Sequence, residues 1–339
     1  MRIFLFLLII GLVVFLFSAC DGNSKMAKDS VTILNVSYDP TRELYKDINS
    51  EFTEWFKQKE GIKLEILMSH GGSGKQARAV LEGLEADVVT LALGYDIDIL
   101  SRLGKLLPPD WQKRLPNNSC PYTSTIVFLV REGNPKTIKS WEDLTREDVK
   151  VIIPNPKTSG GARWAYLAGW GYAYKNGGEE YAKEYIRKLL KNVPVLDVGA
   201  RGATNTFLQG IGDVLLIWEN EAMLARNERE GKFEIVYPEV SILAEPPVAI
   251  VDKYAKKHGT KEIVKEYLNY LYSEEAQEII AKYFYRPVNS KIQEKYRDLF
   301  PEIILFTLTD IYSGGWQEAH KIHFESGGIF DKVMEELKH

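Results

Sequence analysis

The residues best suited to chemistry cluster in Ser69-His70-Gly71-Gly72-Ser73-Gly74-Lys75-Gln76, between a strand-like run (KLEILM, 63–68) and a helix-like run (ARAVLEGLEA, 77–86). The pattern fits an anion cradle. Ser73 reads as a helix cap, Gln76 three residues on completes a capping box, and the glycines let the backbone approach a ligand without a Cβ in the way. A helix N-terminus carries about half a positive charge and several free amides, which suits an oxyanion whose charge is spread over its oxygens. Two enzymatic motifs compete for the same residues and fail on spacing. A Walker A loop needs Gly where Ser69 stands and Ser or Thr where Gln76 stands. A nucleophile elbow needs Gly two residues after Ser73, where Lys75 stands. The plain alternative for a single loop of this kind is a turn that only caps its helix.

The pattern recurs. VTILNVSY (31–38) reads as a strand that runs into Asp39-Pro40, with Asp39 as the cap and Leu44, Ile48, Phe52 and Phe56 at helical spacing behind it. VKVIIPNP (149–156) leads into Lys157-Thr158-Ser159-Gly160-Gly161-Ala162-Arg163-Trp164 and a further helix. Gly199-Ala200-Arg201-Gly202-Ala203-Thr204 opens a fourth helix, before a strand DVLLIW that ends at Trp218. Strands alternating with helices predict an α/β fold, mostly parallel sheets flanked by helices. Helix starts that follow strands sit at carboxyl edges, where open α/β folds hold their ligands.

The elements that position these starts require two lobes. After a leader, roughly 320 residues remain, more than one core usually serves. The expected division is lobe 1 from 31–118 with 245–339 and lobe 2 from 119–244, two helix starts in each. A shared ligand would then lie in the cleft and be buried on closure. Residues 1–19 read as a signal peptide, its apolar run (3–17) being short for a membrane span. Ser18-Ala19-Cys20 resembles a bacterial lipoprotein cleavage site, although Phe17 stands where Leu is usual, so Cys20 is the expected lipid anchor and 20–30 a tether. Cys120 is the only other cysteine, so no intrachain disulfide forms once Cys20 is acylated. A net charge of -4 and the lack of a basic run argue against nucleic acid as partner.

VSYDPTRELY, SHGGSGKQA, EADVVTLAL, PYTSTIVFLVREGNPK, TSGGARWAYLAGWGYA, GARGATNTF, DVLLIWENEA and YPEVSILAEPPVAIVDK together resemble the bacterial periplasmic sulfate-binding proteins of the sulfate and thiosulfate ABC importers. The resemblance covers nearly all of the chain behind the leader. It implies a two-lobed, type II venus-flytrap fold and a monomer that passes sulfate to a membrane permease, without cofactor or metal. It also implies a donor set: the amide of Asp39, the amide and hydroxyl of Ser73, the amides of Gly160, Gly161 and Ala200, and the indole N–H of Trp218. Gly72, Gly74, Arg163 and Arg201 would support these from one layer back, the arginines damping the ligand's charge.

Donors alone suit sulfate, a proton-free dianion, whereas hydrogen phosphate carries a proton that needs an acceptor; an unmatched buried polar group costs about 1 to 3 kcal/mol. The Asp39 carboxylate is the one acceptor among these positions, and as a helix cap it turns onto its own helix. Other oxyanions (thiosulfate, phosphate, molybdate) are the binding alternatives. An ester hydrolase would need a nucleophile with a nearby base or metal, which these motifs do not supply. On general grounds Trp218 at a strand end is a core residue, Lys75 is solvated, His70 braces the cradle, and His320 with His323 lie on a surface helix rather than in a metal site.

Overall fold

The computed structural model describes residues 30–228 and 231–338, so the leader and Cys20 lie outside the described residues. The chain starts in β1 (Ser30–Tyr38), turns through a single 3-10 turn at Asp39–Thr41 and enters α1 (Arg42–Glu60). Leu44, Ile48, Phe52 and Phe56 are all buried, as their spacing requires. β2 (Lys63–Gly71), α2 (Ser73–Leu81), β3 (Val88–Thr90) and α3 (Gly94–Arg102) complete the first run. β1 lies between β2 and β3 and is parallel to both, with Val36 opposite Ser69 and Val89. The parallel register brings the ends of β1 and β2 to one edge, Tyr38 opposite Gly71, which is why the starts after them are neighbours.

The second lobe is a five-stranded mixed sheet. The chain reaches it through β4 (Tyr122–Thr123) and lays down β5 (Ile126–Arg131), β6 (Val151–Pro154), α4 (Gly160–Lys191), β7 (Leu196–Asp197), α5 (Ala200–Leu208), β8 (Val214–Trp218), α6 (Glu219–Glu228) and β9 (Phe233–Val236). Strand order is β7-β6-β8-β5-β9, with β8 parallel to β6 and antiparallel to β5. Gly178, at φ 76, breaks α4 into two segments, a conformation that only Gly adopts cheaply. The chain returns through β10 (Val240–Ile242) to β11 (Val248–Ile250), which pairs antiparallel with β3 in the first sheet. The two crossings touch at Ser124 and Ala244, which exchange backbone bonds of 3.0 and 2.9 Å.

The C-terminal portion departs from expectation. Helices after β11 do cover the first sheet: Val264, Tyr267, Leu268 and Ile280 pack against Ile48 and Phe52 of α1. β12 (Arg286–Pro287) then pairs with β4, and a third crossing carries the chain to β13 (Ile304–Phe306), which pairs with β10. Phe306, Tyr312, Phe324, Phe330 and Val333 belong to the second lobe's core, against Trp164, Tyr166 and Trp170 of α4. Residues 304–338 were expected in lobe 1, and the physical reason for the difference lies in α4. Its first half is buried almost all round, and a helix apolar on more than one stripe needs a cover on each.

Candidate anion-binding site

The four helix starts converge where the lobes meet. In three of them the intrahelical ladder begins several residues in: Gln76 N to Gly72 O, Arg163 N to Ser159 O, Ala203 N to Gly199 O. The amides before those bonds have no intrahelical backbone partner, and of them Ala162 N is taken by the Ser159 side chain. The lobes are in contact across the site. A Cβ placed on Gly160 would lie 3.1 Å from the Ser73 Cβ and 2.8 Å from that of Ala92, and one on Gly72 would lie 3.0 Å from Thr158 O. Trp164 donates its indole N–H across the cleft to Ala92 O at 2.8 Å.

Trp218 supplies the most telling geometry. Its Nε1 is buried and has no hydrogen-bond partner, and a Cβ on Gly161 would sit only 2.4 Å from it. Glycine is therefore required at 161 by close approach. Gly161, Ala200, Thr204, Trp218 and Glu221 line one small enclosed space. Asp39, Gly72, Gly160, Gly199 and Arg201 line the adjoining cleft of about 1060 Å³. An unpaired buried donor costs about 1 to 3 kcal/mol, so an indole left in this state beside free amides marks a place built for an acceptor.

A sequence profile of the bacterial extracellular solute-binding proteins matches residues 34–286. The chain belongs to that family. The solute-binding protein is 57% identical over 316 residues to the sulfate-binding protein of Escherichia coli (strain K12), covering 92% of this chain and 95% of the relative. It is 52% identical over 304 residues to the thiosulfate-binding protein of Pseudomonas aeruginosa, covering 89% and 91%. Among solved structures it matches the sulfate-binding protein SubI from Mycobacterium tuberculosis H37Rv at 30% identity and a TM-score of 0.75, over 87% of this chain and 100% of that one. The fold is the two-lobed solute-binding fold expected from the sequence.

Local geometry in this solute-binding protein corrects two readings. Asp39 is not a cap: it opens the 3-10 turn behind Tyr38, Thr41 precedes α1, and the Asp39 carboxylate accepts from Arg42 Nη2 at 3.1 Å instead of from helix amides. Ser73 likewise sits one position inside the helix, with Gly72 as the cap and no capping box. Its hydroxyl donates to Asp96 Oδ2 at 2.5 Å and accepts from Ala92 N at 3.0 Å, so it is already engaged within the first lobe. Gln76 reaches back to Ser69 Oγ and Ser37 O. Ser159 is a true cap, accepting from Ala162 N at 3.3 Å.

The charged neighbours divide cleanly. Arg163 is spent on Pro156 O (2.8 Å) and lies beside His320, while its charge faces buried Asp96, whose carboxyl is pushed up by desolvation. Burial in turn lowers the Arg163 guanidinium. Arg201 is exposed and reaches Glu43 of the other lobe at 3.5 Å. Gly74 lies near Asp96, 3.8 Å from a Cβ position to Oδ1. Lys75 is exposed at the mouth. Burial draws His70 down to about 4, helped by Arg42, and leaves its Nε2 unpartnered. The H-K-I-H stretch is not a surface helix. His323 is fully buried between the Tyr166 and Tyr312 hydroxyls, drawn down to about 3 by desolvation, and His320 stacks on Tyr95 at 3.8 Å. Among the described residues no group of three or more His, Cys, Asp or Glu could hold a metal ion.

Sequence reasoning missed Glu221. It lies three residues beyond Trp218, in the first turn of α6, and its Oε2 is buried without a partner. Desolvation pushes it up to about 7, opposed by Arg201 and reinforced by Asp39 and Glu43. Burial thus favours its protonated form, in which it presents a donor. The only signal in the sequence was the acidic ENE directly after an apolar strand.

Proposed function

We propose that this solute-binding protein captures sulfate in the closed cleft and delivers it to the permease of an ABC importer. The donors are the amides of Asp39, Ser73, Gly160, Gly161 and Ala200 and the indole of Trp218, with Gly72, Gly74, Arg163 and Arg201 around them. The single observation that carries this is the buried, unpaired Trp218 Nε1 pressed against the free amides at the start of α4. A proton-free dianion satisfies every such donor at once, and charge-assisted bonds of this kind are about twice as strong as neutral ones. The relatives named sulfate-binding protein, at 57% identity over most of the chain, support the same ligand. Thiosulfate is the second reading, favoured by relatives named thiosulfate-binding protein at 52% and 51% identity. Thiosulfate and sulfate are nearly isosteric and would share one site.

The protein acts by binding rather than turnover. Of the two serines in the first cradle, Ser73 has its hydroxyl engaged by Asp96 and Ala92, and Ser69 accepts from Gln76 Nε2. It works outside the cytoplasmic membrane as a monomer, held there through lipidated Cys20. Isothermal titration with sulfate, thiosulfate, phosphate and molybdate tests the ligand. Sulfate should bind far more tightly than phosphate. Equal affinity for phosphate or molybdate, or no heat with any oxyanion together with turnover of a sulfate ester, would overturn the reading.

A further inference from the structure

The segment directly after Trp218 is tied to all three chain crossings. Glu219 and Asn220 are both fully buried. Glu219 accepts two bonds from Arg286, Nε to Oε2 at 2.6 Å and Nη2 to Oε1 at 2.8 Å. Arg286 belongs to the third crossing. It lies opposite Thr123 in β12, donates a further bond to Pro301 O at 3.0 Å and stacks 5.4 Å from the Phe300 ring. Asn220 Oδ1 accepts from Ser124 Oγ at 3.2 Å, and Ser124 is the residue of the first crossing that pairs with Ala244 of the second. Glu219 N donates to Thr125 O at 2.9 Å, which holds Trp218 opposite Ile126 at the end of its strand.

We infer that Arg286, acting through Glu219, is a positioning residue for Trp218 and links the placement of that indole to closure of the lobes. A buried carboxylate held by a planar fork has one permitted orientation, because both of its oxygens are engaged along fixed directions. Glu219 is covalently next to Trp218, so fixing the one restricts the backbone from which the indole projects. The fork reaches Glu219 from β12, which belongs to the third crossing and pairs with the first, so a motion of the lobes about the crossings would act on it. Closing therefore seats the indole, and opening loosens it. A buried pair of this kind is weak evidence for stability, and its retention in a hinge is better explained by the geometry it imposes.

The inference rests on the sulfate reading, and the test separates the two. Dissociation of radiolabelled sulfate is followed by chase with unlabelled sulfate for the full chain, Arg286→Lys, and the neutral pair Arg286→Met with Glu219→Gln. The neutral pair guards against misfolding caused by a lone buried charge, and circular dichroism checks that each variant folds. Arg114→Lys, which alters an ion pair with Asp252 wholly within the first lobe, is the control. The dissociation rate should rise at least about tenfold in the neutral pair and by less in Arg286→Lys, with association nearly unchanged and the control like the parent. Unchanged dissociation in a folded neutral pair overturns the inference, as does an equal rise in the control. If the parent takes up no sulfate, the ligand reading fails instead. X-ray scattering of the ligand-free chains then decides: a larger radius of gyration in the neutral pair supports the coupling, and an identical one refutes it.

Discussion

The two sides of the cleft differ in how much of their polar chemistry is already satisfied. On the first lobe the Asp39 carboxylate is paired with Arg42, and the Ser73 hydroxyl is held by Asp96 and Ala92. On the second lobe the Trp218 indole, the Thr204 hydroxyl and Glu221 Oε2 are buried with no partner. The first side is more nearly satisfied, with His70 Nε2 and the Tyr38 hydroxyl left over, and it contributes backbone amides. The second carries an unmet demand, and a ligand that meets it gains there. On the proposed reading, the larger share of the binding energy is expected from the lobe whose side chains are unsatisfied.

The comparison breaks most readily at Gly161. Gly161→Ala places a methyl group 2.4 Å from the Trp218 indole nitrogen, and sulfate affinity by titration should fall by about a thousandfold with the fold intact. Gly74→Ala on the first lobe meets nothing closer than 3.8 Å and should fall far less. Next in size is Glu221. Its pKa in the folded chain, about 7, lies above the ordinary 4.5, so the folded form holds more protons between those values. Stability from this group is complete below pH 4.5 and lost as pH rises through 7, a loss of about 3 kcal/mol. Glu221→Gln should therefore melt above the parent at pH 8, with a gain that shrinks toward pH 5 in thermal scans.

Removing the unmet donor itself should cost somewhat less. Trp218→Phe keeps the ring and loses the N–H, and sulfate affinity should fall by about 1.5 to 3 kcal/mol in titration. An unchanged affinity would place the energy of binding on the first lobe after all. The smallest effect belongs to Arg201, exposed and paired with Glu43 across the lobes. Arg201→Ala should change stability by less than about 1 kcal/mol, and its effect on sulfate association should fade as salt is added, seen by stopped-flow at two ionic strengths.

Much of this was legible in the sequence because the relevant signals are local. Strand, polar glycine turn and helix recur within short windows, so the helix starts at Ser73, Gly160 and Ala200 could be placed without knowing their neighbours, whereas the choice of individual amides came from the family resemblance. Side-chain roles were less legible because they are decided by residues far away in the chain. Ser73 looked like a cap until Asp96, 23 residues on, was found to hold it. The cover of α4 by 304–338 left no local mark, since an amphipathic helix does not say which sheet it faces. Glu221 carried only its acidity, and what matters about it, burial without a partner, exists only in the assembled lobe.

The three passages between lobes also bear on when this chain can fold. The first core waits for β11 and the helices behind it, and the second waits for residues 304–338, so neither body is a contiguous stretch that could mature by itself. A nascent chain lacking those last helices exposes the tryptophans of α4 to solvent. A chain ending before residue 304 is therefore expected to lack a completed second core.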